Sequence, residues 1–252
     1  MAVQILDKSF LVLETLSRDF AGLSVSELSK KVDLNITTVH RILGTFSDRG
    51  YIQQDRDKRY SLSQKFIELS SSYLNGLDLK GVAGSFLKKM SSELQMTVFL
   101  ATLMDNQAVY IDRHDSFNKL RRYTSIGERK PLYCTALGKS LLLGFSTKDI
   151  DRYIENCDFE RFTETTVSSR EQLLKDLETS SIRGWSVDYE EVIEGIICFA
   201  APIYDYRGHI IAAMSTSINK EDMNPASQDK IINTLIEVSR LISEKMGYRP
   251  SE

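Results

Sequence analysis

One short segment of the chain has the side-chain types that read DNA bases. Arginine can pair bidentately with guanine, and a threonine methyl can contact thymine. The candidates for base contacts are Asn35, Thr37, Thr38, His40 and Arg41. A charged segment follows, and its basic side chains suit contacts to phosphate or to the minor groove. These are Arg56, Lys58 and Arg59.

Three helices and a hairpin are predicted within residues 1–62, and they would position these side chains. Ser24 and Glu27 have capping-box spacing, and Asn35 can cap the third helix. That helix has a predicted apolar face formed by Ile36, Val39, Ile42, Leu43 and Phe46. Two helices around a short turn, then a hairpin, indicate a winged helix-turn-helix. The alternative is a three-helix protein-interaction module whose polar face is only solvated.

Bulk composition limits the classes of function. The 252 residues include 32 basic and 35 acidic side chains, which excludes a strongly basic nucleic-acid coat. Residues 35–65 nevertheless contain six basic side chains against three acidic ones. No apolar stretch approaches the ~18 residues of a membrane span, and the three cysteines lack paired spacing. We expect a cytoplasmic protein that makes no membrane contact.

The rest of the chain mixes helical and strand periodicity. A linker helix is predicted over 63–78, where an apolar stripe of Phe66, Leu69, Tyr73 and Leu74 favours dimerisation, with help from Leu11 or Leu13. Residues 79–252 are predicted to form an α+β sensor-like domain. Its helices are expected at 78–94, 135–145, 147–156, 169–181 and 227–246. Its strands are expected at 97–104, 108–112, 120–126, 185–189, 196–204 and 209–217.

Several segments together resemble a known family. Residues 34–46, 50–52 and 60–62 are similar to the winged helix of IclR-type bacterial transcriptional regulators. Further blocks follow in the family order at 135–142, 183–191, 195–202 and 215–217. Residues 115–136, including Arg121 and Tyr133, most resemble the branch that regulates pectin and 2-keto-3-deoxygluconate breakdown. Cys134 and Arg122 depart from the pattern of that branch, which leaves the identity of the ligand open.

The resemblance implies a winged helix-turn-helix, a linker helix and a GAF/PAS-like mixed α/β domain that senses a small molecule. It implies a homodimer, or a dimer of dimers, on a palindromic double-stranded DNA operator. The expected effector is a small carboxylate such as 2-keto-3-deoxygluconate, which would release a repressor from DNA. The implied ligand positions are Ala136, Leu137, Gly138, Asp188, Cys198, Ser215, Ser217 and, as a second positive contact, Arg121.

Elementary chemistry agrees with these positions. Thr135 can cap a helix whose first N–H groups, at Ala136, Leu137 and Gly138, would bind an anion. Asp188 would accept hydrogen bonds from ligand hydroxyls. Ser215 and Ser217 share one strand face, although they could also be ordinary strand positions. Cys198 alone is more often a small buried hydrophobe.

Other functions fit less well. The same architecture also serves activators, and a purely structural adaptor would bind neither DNA nor ligand. An enzyme using Cys198 or Asp188 is a distant alternative, since a Cys198–His209 dyad lacks an orienting third group. No metal-ligand spacing and no nucleotide-binding glycine motif occurs, so no catalytic residue, metal or cofactor is predicted. Glu190 and Glu191 are expected to be solvated or to neutralise Arg183.

Overall fold

The chain divides into two structural units, residues 1–77 and 78–252. The computed structural model describes residues 4–19, 21–66, 68–69, 78–116 and 124–250. Most of the predicted linker helix, including Tyr73 and Leu74, lies outside the described residues. The same holds for Arg121 and for residues 120–123 of the predicted strand 120–126. Residues 124–126, which the structure describes, are not in a strand, so the prediction is wrong there.

The first unit has the predicted helices and hairpin. Helices α1 (Gln4–Ser17), α2 (Val25–Lys31) and α3 (Ile36–Asp48) precede the antiparallel strands β1 (Ile52–Gln54) and β2 (Tyr60–Leu62). The capping box of Ser24 and Glu27 is confirmed. The side-chain oxygen of Asn35 accepts a hydrogen bond from the N–H of Thr38 at 2.8 Å. Local hydrogen bonds therefore begin both helices of the helix-turn-helix.

The core of this unit buries fewer residues than the apolar spacing of its sequence predicted. Val39, Ile42 and Leu43 are buried against α1 and α2, as predicted. Ile36 is not part of the apolar face, since it is 56% exposed. It is the first residue of α3 and lies one turn before the buried segment. On α1, Phe10 is also exposed, at 59%. Helical spacing identified the helices but not the limits of the buried stripe.

The second unit is an α+β domain, as predicted. Its helices are α4 (Leu79–Leu94), α5 (Ala136–Leu142), α6 (Thr147–Glu155), α7 (Arg170–Arg183) and α8 (Pro225–Lys245), with a 3-10 turn at Lys220–Asp222. Its strands are β3 (Val98–Met104), β4 (Gln107–His114), β5 (Arg129–Pro131), β6 (Ser186–Tyr189), β7 (Ile196–Tyr204) and β8 (Ile210–Asn219). None of the helices in the described part of the chain is long and apolar enough to span a membrane.

One six-stranded sheet organises this domain. The order is β5-β4-β3-β8-β7-β6, and every neighbouring pair is antiparallel. Helix α5 packs in a core cluster with Phe99 and Ala200, while α4 and α8 pack together and α8 lies on β7. Strand β5 was not predicted, because three residues ending in proline are too short to show a period.

Candidate DNA-binding surface and effector cavity

The predicted base-reading residues lie on the exposed side of α3. Asn35, Thr37, His40 and Arg41 are exposed, and Thr38 is partly exposed. The buried residues Val39, Ile42 and Leu43 hold the opposite side of the helix on the core. The oxygen of Asn35 caps α3, and its amide N–H groups are left as donors that can meet a base edge.

The three basic residues of the hairpin differ in their surroundings. Arg56 and Lys58 are exposed at its tip, where the Asp55 carboxylate accepts hydrogen bonds from the backbone N–H groups of Asp57 and Arg59. The Arg59 side chain instead donates to the carbonyl of Gly22 at 3.0 Å. Its guanidinium also lies 3.1 Å from a Glu27 carboxylate oxygen.

These contacts tie the hairpin to α2. The prediction treated Arg59 as equivalent to Arg56 and Lys58, because a run of basic residues does not show which side chain is already paired. In the fold, the Arg59 guanidinium is engaged by its own domain. The wing therefore presents Arg56 and Lys58 as its unpaired basic side chains among the described residues.

A cavity of about 570 Å³ lies in the second unit, between the start of α5 and the sheet. Residues from all six strands of the sheet, β3 to β8, contribute to its wall. Six residues implied by the family resemblance line it. They are Ala136, Leu137, Asp188, Cys198, Ser215 and Ser217.

Strand register explains why these distant residues meet. Asp188 of β6 pairs with Cys198 of β7, and Cys198 pairs with Ser217 of β8. Ser215, two residues before Ser217, lies on the same face of β8 and pairs with Phe99 of β3. Four polar positions thus form one continuous patch, which no single sequence segment contains.

The start of α5 differs from the prediction at Gly138. The hydroxyl of Thr135 accepts the N–H of Gly138 at 3.0 Å and donates to the carbonyl of Pro131 at 2.7 Å. Gly138 does not line the cavity, because the backbone of Leu132 packs directly against it. The N–H groups of Ala136 and Leu137 have no hydrogen-bond partner within the described ranges. The predicted set of three donors is reduced to two.

Sequence reasoning missed further polar residues of the wall. Lys130 lies on β5 and forms an ion pair with Glu128 at 2.7 Å. Tyr110 of β4 packs its ring edge-on against Phe99, and burial raises the pKa of its phenol, which stays neutral. Thr124 and Asn219 also line the cavity. No sequence signal pointed to Lys130, because β5 is too short to show a strand period.

Asp188 is the carboxyl group of the polar patch. It is buried, and its carboxylate accepts the backbone N–H of Glu191 at 2.7 Å. Burial, and then the negative charge of Glu191, raise the pKa of Asp188 to about 7. Near neutral pH this group can therefore be either a hydrogen-bond donor or an acceptor towards the cavity.

The expectation for the neighbouring acids and Arg183 is wrong. Glu191 is buried, and its carboxylate lies 2.5 Å from the ammonium of the buried Lys139. Glu190 pairs with Lys220. Arg183 stacks over the Trp185 ring at 3.7 Å and donates to the Trp185 carbonyl. Sequence proximity suggested an ion pair with Arg183, whereas packing brought Lys139 from a separate helix to Glu191.

The catalytic and metal alternatives gain no geometric support. Cys198 pairs with Ser217, whereas His209 adjoins the other end of the β7–β8 hairpin, where Tyr204 pairs with Ile210. These two residues do not form a dyad. Across the described residues, no group of three or more histidine, cysteine or acidic side chains is placed to hold a metal ion.

Comparison with known proteins matches both units to one family. The profile described as "Bacterial transcriptional regulator IclR C-terminal" matches residues 71–244, and the "IclR helix-turn-helix domain" matches residues 5–56. The chain belongs to the IclR family. It is a ligand-responsive helix-turn-helix transcriptional regulator, with α2 and α3 as the DNA-binding motif and the cavity in its C-terminal domain.

Curated IclR-family relatives match over nearly the whole chain. The HTH-type transcriptional regulator KdgR of Escherichia coli is 34% identical over 242 residues, covering 96% of this chain and 92% of the relative. The HTH-type transcriptional repressor AllR of Salmonella typhimurium is 30% identical, covering 98% and 91%. The KdgR match agrees with the resemblance to the pectin and 2-keto-3-deoxygluconate branch of the IclR family.

Solved structures agree with the fold. The C-terminal domain of E. coli KdgR is 32% identical with a TM-score of 0.63, and it covers 68% of this chain and 100% of that one. The Agrobacterium tumefaciens repressor BlcR has a TM-score of 0.77 at 23% identity and covers 99% of both chains. The predicted architecture of an N-terminal helix-turn-helix domain and a C-terminal mixed α/β domain is confirmed.

Proposed function

We propose that this IclR-family regulator represses sugar-acid catabolic genes and leaves its operator when a small carboxylate fills the cavity. The observation that carries the proposal is the polar patch of Asp188, Cys198, Ser215 and Ser217 facing the start of α5. A volume of about 570 Å³ is within the range of small-molecule sites. An effector with one acid group and several hydroxyls would satisfy both sides of the cavity.

2-Keto-3-deoxygluconate is the proposed effector. Its carboxylate would meet the N–H groups of Ala136 and Leu137, where the α5 dipole favours an anion. Lys130 also lies in the wall, where it is paired with Glu128. Asp188 would hydrogen-bond a ligand hydroxyl, and Ser215 or Ser217 would bind a keto or hydroxyl oxygen. Arg121 remains the proposed second positive contact, outside the described residues.

On the DNA side, we propose a homodimer, alone or paired into a dimer of dimers, on a palindromic operator. Two-fold symmetric proteins place their recognition helices in successive major grooves. Asn35, Thr37, Thr38, His40 and Arg41 would meet base edges, and Arg56 and Lys58 would meet the backbone or minor groove. The protein would act in the cytoplasm, where bacterial DNA is, and would return its effector unchanged rather than catalyse a reaction.

A mobility-shift titration of the full chain tests this proposal. The probes are DNA fragments upstream of its own gene and of sugar-acid catabolic genes, with unrelated DNA of equal length as control. A specific shift that 2-keto-3-deoxygluconate reverses supports the proposal, and chromatography should recover the acid intact. A specific shift that no sugar acid reverses would refute the effector, and consumption of the acid would indicate an enzyme.

A further inference from the structure

A buried charge cluster lies behind the cavity wall. The ammonium of Lys139 lies 2.5 Å from a carboxylate oxygen of Glu191 and 2.5 Å from one of Asp176. The backbone N–H of Glu191 donates to the Asp188 carboxylate at 2.7 Å. Asp188 lines the cavity, whereas Glu191 and Lys139 do not. Two carboxylates, those of the buried Glu191 and the partly exposed Asp176, thus contact one buried ammonium, while Asp188 is bonded to the Glu191 backbone.

We propose that the cavity binds an anionic effector together with one proton, which Asp188 takes up, and that Glu191 and Lys139 are positioning residues that set this proton's affinity. The inference concerns the same cavity as the proposed function and rests on it for the effector's identity alone. The proton passes from solvent to the Asp188 carboxylate. The resulting carboxyl group donates to a ligand oxygen, whereas the ionised form only accepts.

The hydrogen bonding of Glu191 indicates an excess of negative charge beside Asp188. One of its carboxylate oxygens meets Lys139, while the other is buried with no hydrogen-bond partner among the described residues. A buried ionised oxygen without a partner is costly. Asp188 accepts the backbone N–H of Glu191 at 2.7 Å, and the negative charge of Glu191 raises the pKa of Asp188. Protonating Asp188 therefore relieves the excess negative charge. Asp188 takes the proton because it is the member that the ammonium does not contact.

Among the described residues, the other titratable groups near Asp188 supply no unpaired positive charge. Lys130 in the cavity wall is already paired with Glu128. Tyr110 and Cys134 have raised pKa values because they are buried, so both are neutral. Cys198 lies opposite Asp188 on β7. An effector carboxylate therefore adds negative charge to a wall that already has an excess, and this raises the proton affinity of Asp188. The pKa of about 7 without ligand places the change near neutral pH.

Infrared difference spectroscopy of the full ligand-free chain tests the proton itself. The carbonyl band of a protonated carboxyl group should titrate near neutral pH and disappear in Asp188→Asn. Glu191→Gln keeps an oxygen for Lys139 but removes a charge, so the midpoint should move to lower pH. The control Glu194→Gln changes an exposed acid of the same loop and should leave the midpoint unchanged. A band that is absent in wild type, or that persists in Asp188→Asn, overturns the proposal.

Calorimetry with 2-keto-3-deoxygluconate tests the coupling. Its affinity should fall by about tenfold per pH unit above the ligand-free midpoint, and heats in two buffers should report uptake of about one proton. In Glu191→Gln, the affinity should begin to fall at a lower pH. A purely structural role of Glu191 would instead lower the affinity equally at every pH. Binding independent of pH overturns the coupling. If the acid does not bind at any pH, the proposed effector is wrong, and the infrared titration alone decides whether the proton site exists.

Discussion

Asp188 and Cys198 lie opposite each other in the β6–β7 pairing, and both face the cavity. The pairing continues from Cys198 to Ser217 on β8. A carboxyl group, a thiol and a hydroxyl therefore form one row across three strands. Because the row belongs to the C-terminal unit and α3 belongs to the N-terminal one, effector binding and DNA binding can be altered separately.

Asp188→Ala should lose the response to effector while retaining DNA binding. The substitution removes a polar contact from the cavity wall, and α3 lies in the other structural unit. Operator affinity with and without 2-keto-3-deoxygluconate measures both properties. Glu194→Ala, at an exposed position in the loop that follows β6, should respond as wild type does. If the Asp188 variant leaves the operator at the same effector concentration as the wild-type protein does, the cavity is assigned incorrectly.

Arg41→Ala and Lys58→Ala should weaken DNA binding in different ways. Loss of a base contact by Arg41 should cost about 1–3 kcal/mol on the cognate site and relax specificity there. Loss of a phosphate contact by Lys58 should weaken all sequences similarly and reduce the salt dependence. Arg59→Ala should instead lower the thermal stability of the wing, because that side chain is bonded to Gly22 and Glu27. Unchanged affinity and specificity in the Arg41 variant would remove it from the recognition surface.

Dimerisation should depend on exposed apolar residues of the first unit. Phe66 is partly used within its own unit, with its ring 5.5 Å from that of Tyr51. Phe10 and Leu69 remain 59% and 53% exposed. Phe10→Asp should therefore shift the full chain towards monomer in sedimentation equilibrium. Ile182→Asp, at a position 83% exposed in the other unit, is the matched control. A wild-type chain that sediments as a monomer at micromolar concentration contradicts this assignment.

Gly138→Ala should destabilise the effector domain by about 1–3 kcal/mol or more. A Cβ at this position would meet the backbone of Leu132 and the hydroxyl of Thr135 closer than non-bonded atoms approach. Gly84→Ala in α4 is the control, because its nearest neighbour would be an ordinary 3.9 Å away. Alanine should there stabilise the helix by up to about 1 kcal/mol. Equal unfolding free energies for the two variants would contradict the close packing at α5.

Asp188 should also make stability depend on pH. Its pKa is about 7 in the fold against 3.8 for an ordinary aspartate, so between these values the folded state holds more protons than the unfolded state. Stability from this group is therefore fully present below about pH 4 and falls as pH rises towards 7, by at most about 1.4 kcal/mol per unit. The stability difference between wild type and Asp188→Asn, from denaturant unfolding, should decline over that window. A constant difference would mean that Asp188 titrates normally.

Much of the fold could be predicted from local patterns in the sequence. The caps at Ser24 and Asn35 and the helical and strand periods depend on residues within a few positions of one another, so they can be read without coordinates. The same periods predicted the α+β class, and the ordered family blocks implied most of the cavity residues. Periodicity could not find β5, which is too short to show one, and it placed Ile36 on the buried face of α3.

The tertiary structure decided which of these residues act together. Register between strands brings Asp188, Cys198 and Ser217 into one row, although 29 positions separate the first from the last. Packing buries Lys139 against Glu191, pairs Arg59 with Glu27 and leaves Arg56 and Lys58 exposed. Residue type sets what a side chain can do, but its charge state and its partner depend on burial and on neighbours distant in the chain. Those are properties of the packed molecule.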